Sequence, residues 1–162
     1  LMADAGLTHG GFYAHFPSKE ALVREALAAA SERSRNHLGR QVEKARSEGT
    51  DPIEAIVRSY LTAAHRDRPD RGCSVAALGA EIARRPRKTK DAFTAGLCNT
   101  LGVIEGALPE GTRDRRNTAV AVFSTMIGAL QLSRTIADAD MSQAALDAGI
   151  AAALALAQID TR

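Results

Sequence analysis

Tryptophan is missing from this chain, and aromatic residues make up only 4% of its 162 positions. Its core must therefore be aliphatic and rich in alanine. Cysteine is scarce too. Cys73 and Cys98 lie far apart in the chain and make no disulfide framework, which fits a reducing compartment. No apolar run reaches the ~18 residues of a membrane-spanning helix, and the Ala-Leu stretch at 150–157 is too short. No membrane partner is expected, and the expected location is cytoplasmic. Neither sign of charge dominates. A net charge of +2 does not by itself predict a nucleic-acid partner.

The motifs of catalysis and metal binding are absent as well. The four histidines, His9, His15, His37 and His65, form no HExxH and no Cys/His spacing that suits zinc. There is no Gly-rich phosphate loop and no nucleophile elbow. Glu81 and Glu105 are read as edges of apolar helix faces rather than as a catalytic pair. The chain is not expected to be an enzyme, and no catalytic residue, metal or cofactor is assigned.

What is present is helical periodicity. No alternating strand pattern of useful length occurs, and the five prolines, Pro17, Pro52, Pro69, Pro86 and Pro109, all fall between periodic segments. The fold class is all-α. A long helix is expected from Ser18 to about Arg46, with a stripe of Leu22, Val23, Ala26, Leu27 and Ala30 continued by Leu38, Val42 and Ala45. Asp51, Pro52 and Glu54 spell a capped start for the next helix, whose face is Ile53, Ile56, Val57, Tyr60, Leu61 and Ala64. A charged loop from Arg66 to Gly72 follows, then a helix with Val75, Leu78 and Ile82 inward. The basic run from Arg84 to Lys90 reads as a solvated turn. Cys73, beside Gly72, reads as a small residue in a tight turn, with a redox-sensing thiol as the rival reading.

Three helices complete the chain. The first covers about 87–107, with Phe93, Leu97, Leu101, Ile104 and Leu108 on one stripe. The second, about 112–138, has two apolar faces: Val120, Phe123, Ile127 and Leu130, and Val122, Met126, Ala129 and Ser133. The last, about 140–158, is apolar nearly all round, which would expose a large patch on a monomer. These two helices are expected to form half of an intermolecular four-helix bundle. The expected homodimer interface is Val122, Ala129, Ser133, Leu146, Gly149, Ile150 and Ala153.

The most specific stretch lies near the start, from Gly6 to Glu20. Gly6 can end a helix in the left-handed conformation, and Thr8 can cap the next one. That helix has room for about two turns before Pro17, and Ser18 caps the helix after it. Gly10 and Gly11 each cost roughly 1 kcal/mol there relative to alanine, so something other than stability favours them. Phe12 and Phe16, four apart, can point inward together. Thr8, His9, Gly10, Tyr13 and His15 then remain on an outer face without acids, suited to a DNA major groove.

Here the chain resembles the tetracycline-repressor (TetR) family of bacterial transcription regulators. The carrying residues are Ala5-Gly6-Leu7-Thr8, Gly10, Phe12-Tyr13, His15-Phe16 and Ser18-Lys19-Glu20-Ala21-Leu22, over about residues 1–30. His9 stands where the family often has Lys or Arg. The resemblance implies a helix-turn-helix head over 1–30, lacking its first helix and most of its second, and a helical effector-binding and dimerisation domain over 31–162. It implies DNA contacts from Thr8, His9, Gly10, Gly11, Tyr13, His15 and Lys19. It also implies double-stranded operator DNA, a second copy of the chain and a small-molecule effector as partners. The function so read is a dimeric repressor released by a small apolar or aromatic effector. The alternatives are an all-helical enzyme or a thiol sensor using Cys73. An effector pocket is expected among Tyr60, Leu61, Leu78, Phe93, Leu97, Leu101, Phe123 and Met126, with Tyr60 or Asn99 as its polar contacts.

Overall fold

Short polar caps and glycines of positive φ divide the chain into helices. The computed structural model describes residue 6 and residues 9–159, and those residues contain helices and turns but no strand. Helix α1 is His9–His15. Ser18, in extended conformation, starts α2, Lys19–Glu48, by accepting a hydrogen bond from the Ala21 N–H at 3.1 Å. Gly49 ends α2 at φ +67°, where a side chain would be strained. The next N–H, of Thr50, then reaches the Ala45 carbonyl at 2.9 Å. Helix α2 has 30 residues and is about 45 Å long at ~1.5 Å per residue. It runs unbroken through residue 30, where the sequence alone suggested a domain boundary.

Asp51 caps α3, Pro52–Tyr60, as its sequence predicts: its carboxylate accepts from the Ile53 N–H at 2.9 Å. The face does not continue helically to Ala64, however. The Thr62 hydroxyl accepts from the His65 N–H at 3.1 Å and starts a separate short helix, α4, Ala63–Asp67. His65 Nδ1 donates back to the Tyr60 carbonyl at 2.8 Å. Leu61 stays buried at this break while Ala64 turns outward. A single 3₁₀ turn, Pro69–Arg71, leads to α5, Ser74–Ile82. Then come α6, Arg87–Ala107, α7, Arg115–Thr135, and α8, Ala139–Ile159.

Helix α8 packs chiefly on α7, and α2 packs on α6 and α3. The core they enclose is aliphatic. Ile53, Ile56 and Val57 of α3 meet Ile104 of α6, with Val122, Phe123, Met126 and Leu130 of α7 and Leu146, Ala153 and Ala157 of α8. No helix among the described residues is long and apolar enough to cross a membrane.

Two inward assignments change in the folded chain. Leu78 of α5 is 42% exposed, because Ala76 and Ile82 supply that helix's buried side. The small residues expected to face a partner instead bring α7 and α8 together within one chain. A Cβ on Gly149 would lie 2.2 Å from Ala129 Cβ, and Val122, Ser133, Leu146, Gly149 and Ala153 are buried in the protomer. Ala129 and Ile150 are partly buried. What α7 and α8 leave outside is a different set of apolar side chains, Val120, Leu132 and Met141.

Candidate functional site

The N-terminal helix presents a polar, acid-free surface. Phe12 and Phe16 are half-buried with ring centroids 5.7 Å apart, and Tyr13 stands edge-on to Phe12 at 5.1 Å. This aromatic cluster supports α1 from one side. Tyr13, His15 and Lys19 are exposed. Lys19 is the first residue of α2, one position after the cap. Gly6 adopts φ +66°, the left-handed turn its sequence position calls for. Thr8 lies outside the described residues, and of His9, Gly10 and Gly11 only the helical backbone is described.

A cleft of about 420 Å³ opens where α2, the end of α3, α4 and the turn before α5 meet. Leu38, Tyr60, Thr100, Phe123 and Cys73 form its buried part. Arg33, Ser34 and His37 of α2 stand on one side of it, and Arg68 and Arg71 on the other. Among the described residues no carboxylate lines it. The Tyr60 ring is held edge-on by His65 at 4.6 Å and by Phe123 at 5.9 Å. Its hydroxyl is buried without a hydrogen-bond partner. Burial, with the Cys73 thiol beside it, pushes that phenol far above the ordinary tyrosine range, so it stays a neutral donor.

Of the residues expected to form a pocket, two line this cleft. Tyr60 and Phe123 line it. Leu61, Leu101 and Met126 are core residues, and Leu78 lines an adjoining groove with Arg33 and Arg71. Phe93 and Leu97 are half-buried on α6. Asn99 is exposed and faces a second depression between α2 and α6, beside Ser31 and Gly96. The arginine and histidine lining was missed because it comes from turns and from the solvent side of α2, where periodicity reads only polarity. Cys73, on which a thiol sensor would rest, is buried, while Cys98 is exposed on α6.

The wall of the cleft is clamped by a neutral histidine. His65 Nδ1 donates to the Tyr60 carbonyl, so its Nε2 is the lone-pair side and accepts the Cys73 N–H at 3.0 Å. Desolvation holds its pKa below the usual 6.5, and Arg134 and His37 nearby act in the same direction. Arg134 of α7 donates to the carbonyls of His65 and Arg66 at 2.8 and 3.1 Å. Gly72 is required here, since a Cβ would lie 2.4 Å from His65 Nε2.

Residues 1–26 match the family model described as bacterial regulatory proteins, tetR family. The segment that passes from Gly6 through α1 into the first turns of α2 is thus similar to the N-terminal part of that family of regulators. No curated protein matches the chain.

Proposed function

We propose that the protein is a homodimeric repressor that leaves its operator when a small molecule fills the cleft. One observation carries this reading: a single helix, α2, begins at Lys19 beside the recognition segment and supplies Arg33, Ser34, His37 and Leu38 to the cleft. A ligand that favours one position of that rod changes the placement of the DNA-contacting helix, provided it binds the two conformers unequally. Residues 1–30 then belong to the DNA-contacting head and 31–162 to the effector and dimerisation body. The cytoplasm is the compartment in which such a regulator meets its operator. The exposed Val120, Leu132 and Met141, together with the alanines on the outer side of α8, are the surface for a second copy.

Operator selection from random DNA with the full chain tests the reading. Tyr13→Ala and Lys19→Ala should each weaken operator binding, and Lys19→Ala should lower the salt slope by about one unit if it meets a phosphate. Leu132→Glu should convert a sedimenting dimer to a monomer. Wild-type operator affinity in both N-terminal variants would refute the DNA-contacting role of α1.

A further inference from the structure

We infer that the cleft takes an organic anion, a small molecule with an apolar or aromatic body and one acidic group. The inference rests on the reading of the cleft as the effector site and supplies the ligand's chemistry. The body's place is set by Leu38, Phe123 and the Tyr60 ring, all buried. The charge's place is set by Arg33, Arg68 and Arg71 at the mouth. Arg68 and Arg71 share Asp70, at 3.4 and 3.6 Å, so that one carboxylate is divided between two guanidinium groups. Arg33 has no carboxylate within ion-pair distance among the described residues. With three cations and one shared acid, the mouth keeps an excess of positive charge, and guanidinium forks match carboxylate oxygens in geometry. A cationic ligand would meet net repulsion there.

A second observation points the same way. Tyr60 lines the cleft, is only 5% exposed, and ends in a buried hydroxyl that no nitrogen or oxygen of the described residues satisfies, its polar neighbour being the Cys73 thiol. Buried polar groups are almost always paired, and an unpaired donor at a cavity marks where an acceptor atom of a ligand would sit. The neutral phenol supplies a proton inside the cleft while the guanidinium groups supply charge at its entrance. An acid with oxygen functionality satisfies both, whereas a hydrocarbon satisfies neither.

The test uses two probes with the same ring system. The anionic 8-anilinonaphthalene-1-sulfonate and the neutral N-phenyl-1-naphthylamine are titrated against the full chain by fluorescence. The anionic probe should bind at one site per chain, at least about ten-fold tighter than the neutral one, as expected for a contact to a charged group. Arg33→Gln and Arg71→Gln should abolish that preference while leaving the neutral probe's affinity unchanged. Arg87→Gln, on an exposed residue away from the cleft, should change neither. Equal affinities for the two probes overturn the inference. So does a preference that survives both cleft substitutions, or a cleft variant that loses both probes equally. Operator retention is scored separately. A chain that binds the anionic probe as expected yet retains no DNA loses the regulator reading and keeps the ligand class.

Discussion

Thr89 Oγ1 donates to Glu20 Oε2 at 2.7 Å, across 69 positions of sequence. The other oxygen of Glu20 accepts from Arg85 at 3.1 Å, and Arg85 also holds Glu81 at 2.8 Å. Glu20 stands in the first turn of α2, within the segment that matches the tetR family model, while Arg85 lies in the α5–α6 turn and Thr89 in the first turn of α6. The start of α2 is thus tied to the α5–α6 region by a polar latch. The Thr89 hydrogen bond, helped by Arg85, holds the Glu20 carboxyl below its usual 4.5.

The latch has a measurable local effect. Thr89→Val removes the shorter hydrogen bond and keeps the shape of a fully buried side chain. The amides of the first turn of α2 should then exchange faster with solvent, while those of α7 should not. Because the folded pKa of Glu20 is depressed, the latch is intact above the ordinary carboxylate range. It is lost as pH falls through that lower value. Unchanged exchange at Ala21 and Leu22 in the variant would show that the latch bears no load.

His65 predicts an acid sensitivity of the opposite chemical kind. Its folded pKa lies below 6.5, so the unfolded chain binds the proton more readily. The ring's contribution is complete above 6.5 and is lost as pH falls from there toward the folded value. Thermal unfolding followed from pH 7.5 to pH 5 should show this loss in wild type. In His65→Gln, which does not titrate, the slope in that window should flatten. A slope that persists in the variant would assign it to other groups.

The unpaired hydroxyl of Tyr60 makes a counterintuitive forecast. Tyr60→Phe removes a buried polar atom that makes no hydrogen bond, and it creates no cavity around the ring. The ligand-free protein should be at least as stable as wild type, and by about 1 kcal/mol the more stable if the desolvation of the phenol is fully recovered. Ligand binding should suffer in the same variant, a trade of stability against function. A clear drop in melting temperature would mean that the hydroxyl has a partner in solution.

Two glycines inside helices should respond with opposite sign. Gly149→Ala places a Cβ 2.2 Å from Ala129 Cβ and 3.2 Å from Leu61 Cδ1, which must push α8 off α7. The expected cost is about 1–3 kcal/mol. Gly102→Ala meets nothing within 4 Å on the exposed side of α6 and should stabilise by about 0.5–1 kcal/mol. Urea unfolding of the pair compares them directly. Equal shifts would contradict the close approach of α7 and α8.

Much of this molecule is written locally. The Ser18 and Asp51 caps, the left-handed Gly6 and the stretch from Phe12 to Glu20 are legible because each depends on neighbours within four residues. Helix number and type follow from periodicity for the same reason, apart from the break at Thr62, where one hydroxyl competes with the α-helical ladder. Periodicity tells which side of a helix is apolar but not which neighbour covers it. Only tertiary packing decided that Gly149 closes on α7 of its own chain and that Leu78 faces outward. Only packing brought Arg33, Tyr60 and Arg71 to one cleft, and Glu20 to Thr89. Those pairs are long-range, and their polar atoms meet through the placement of whole helices, which no local pattern encodes.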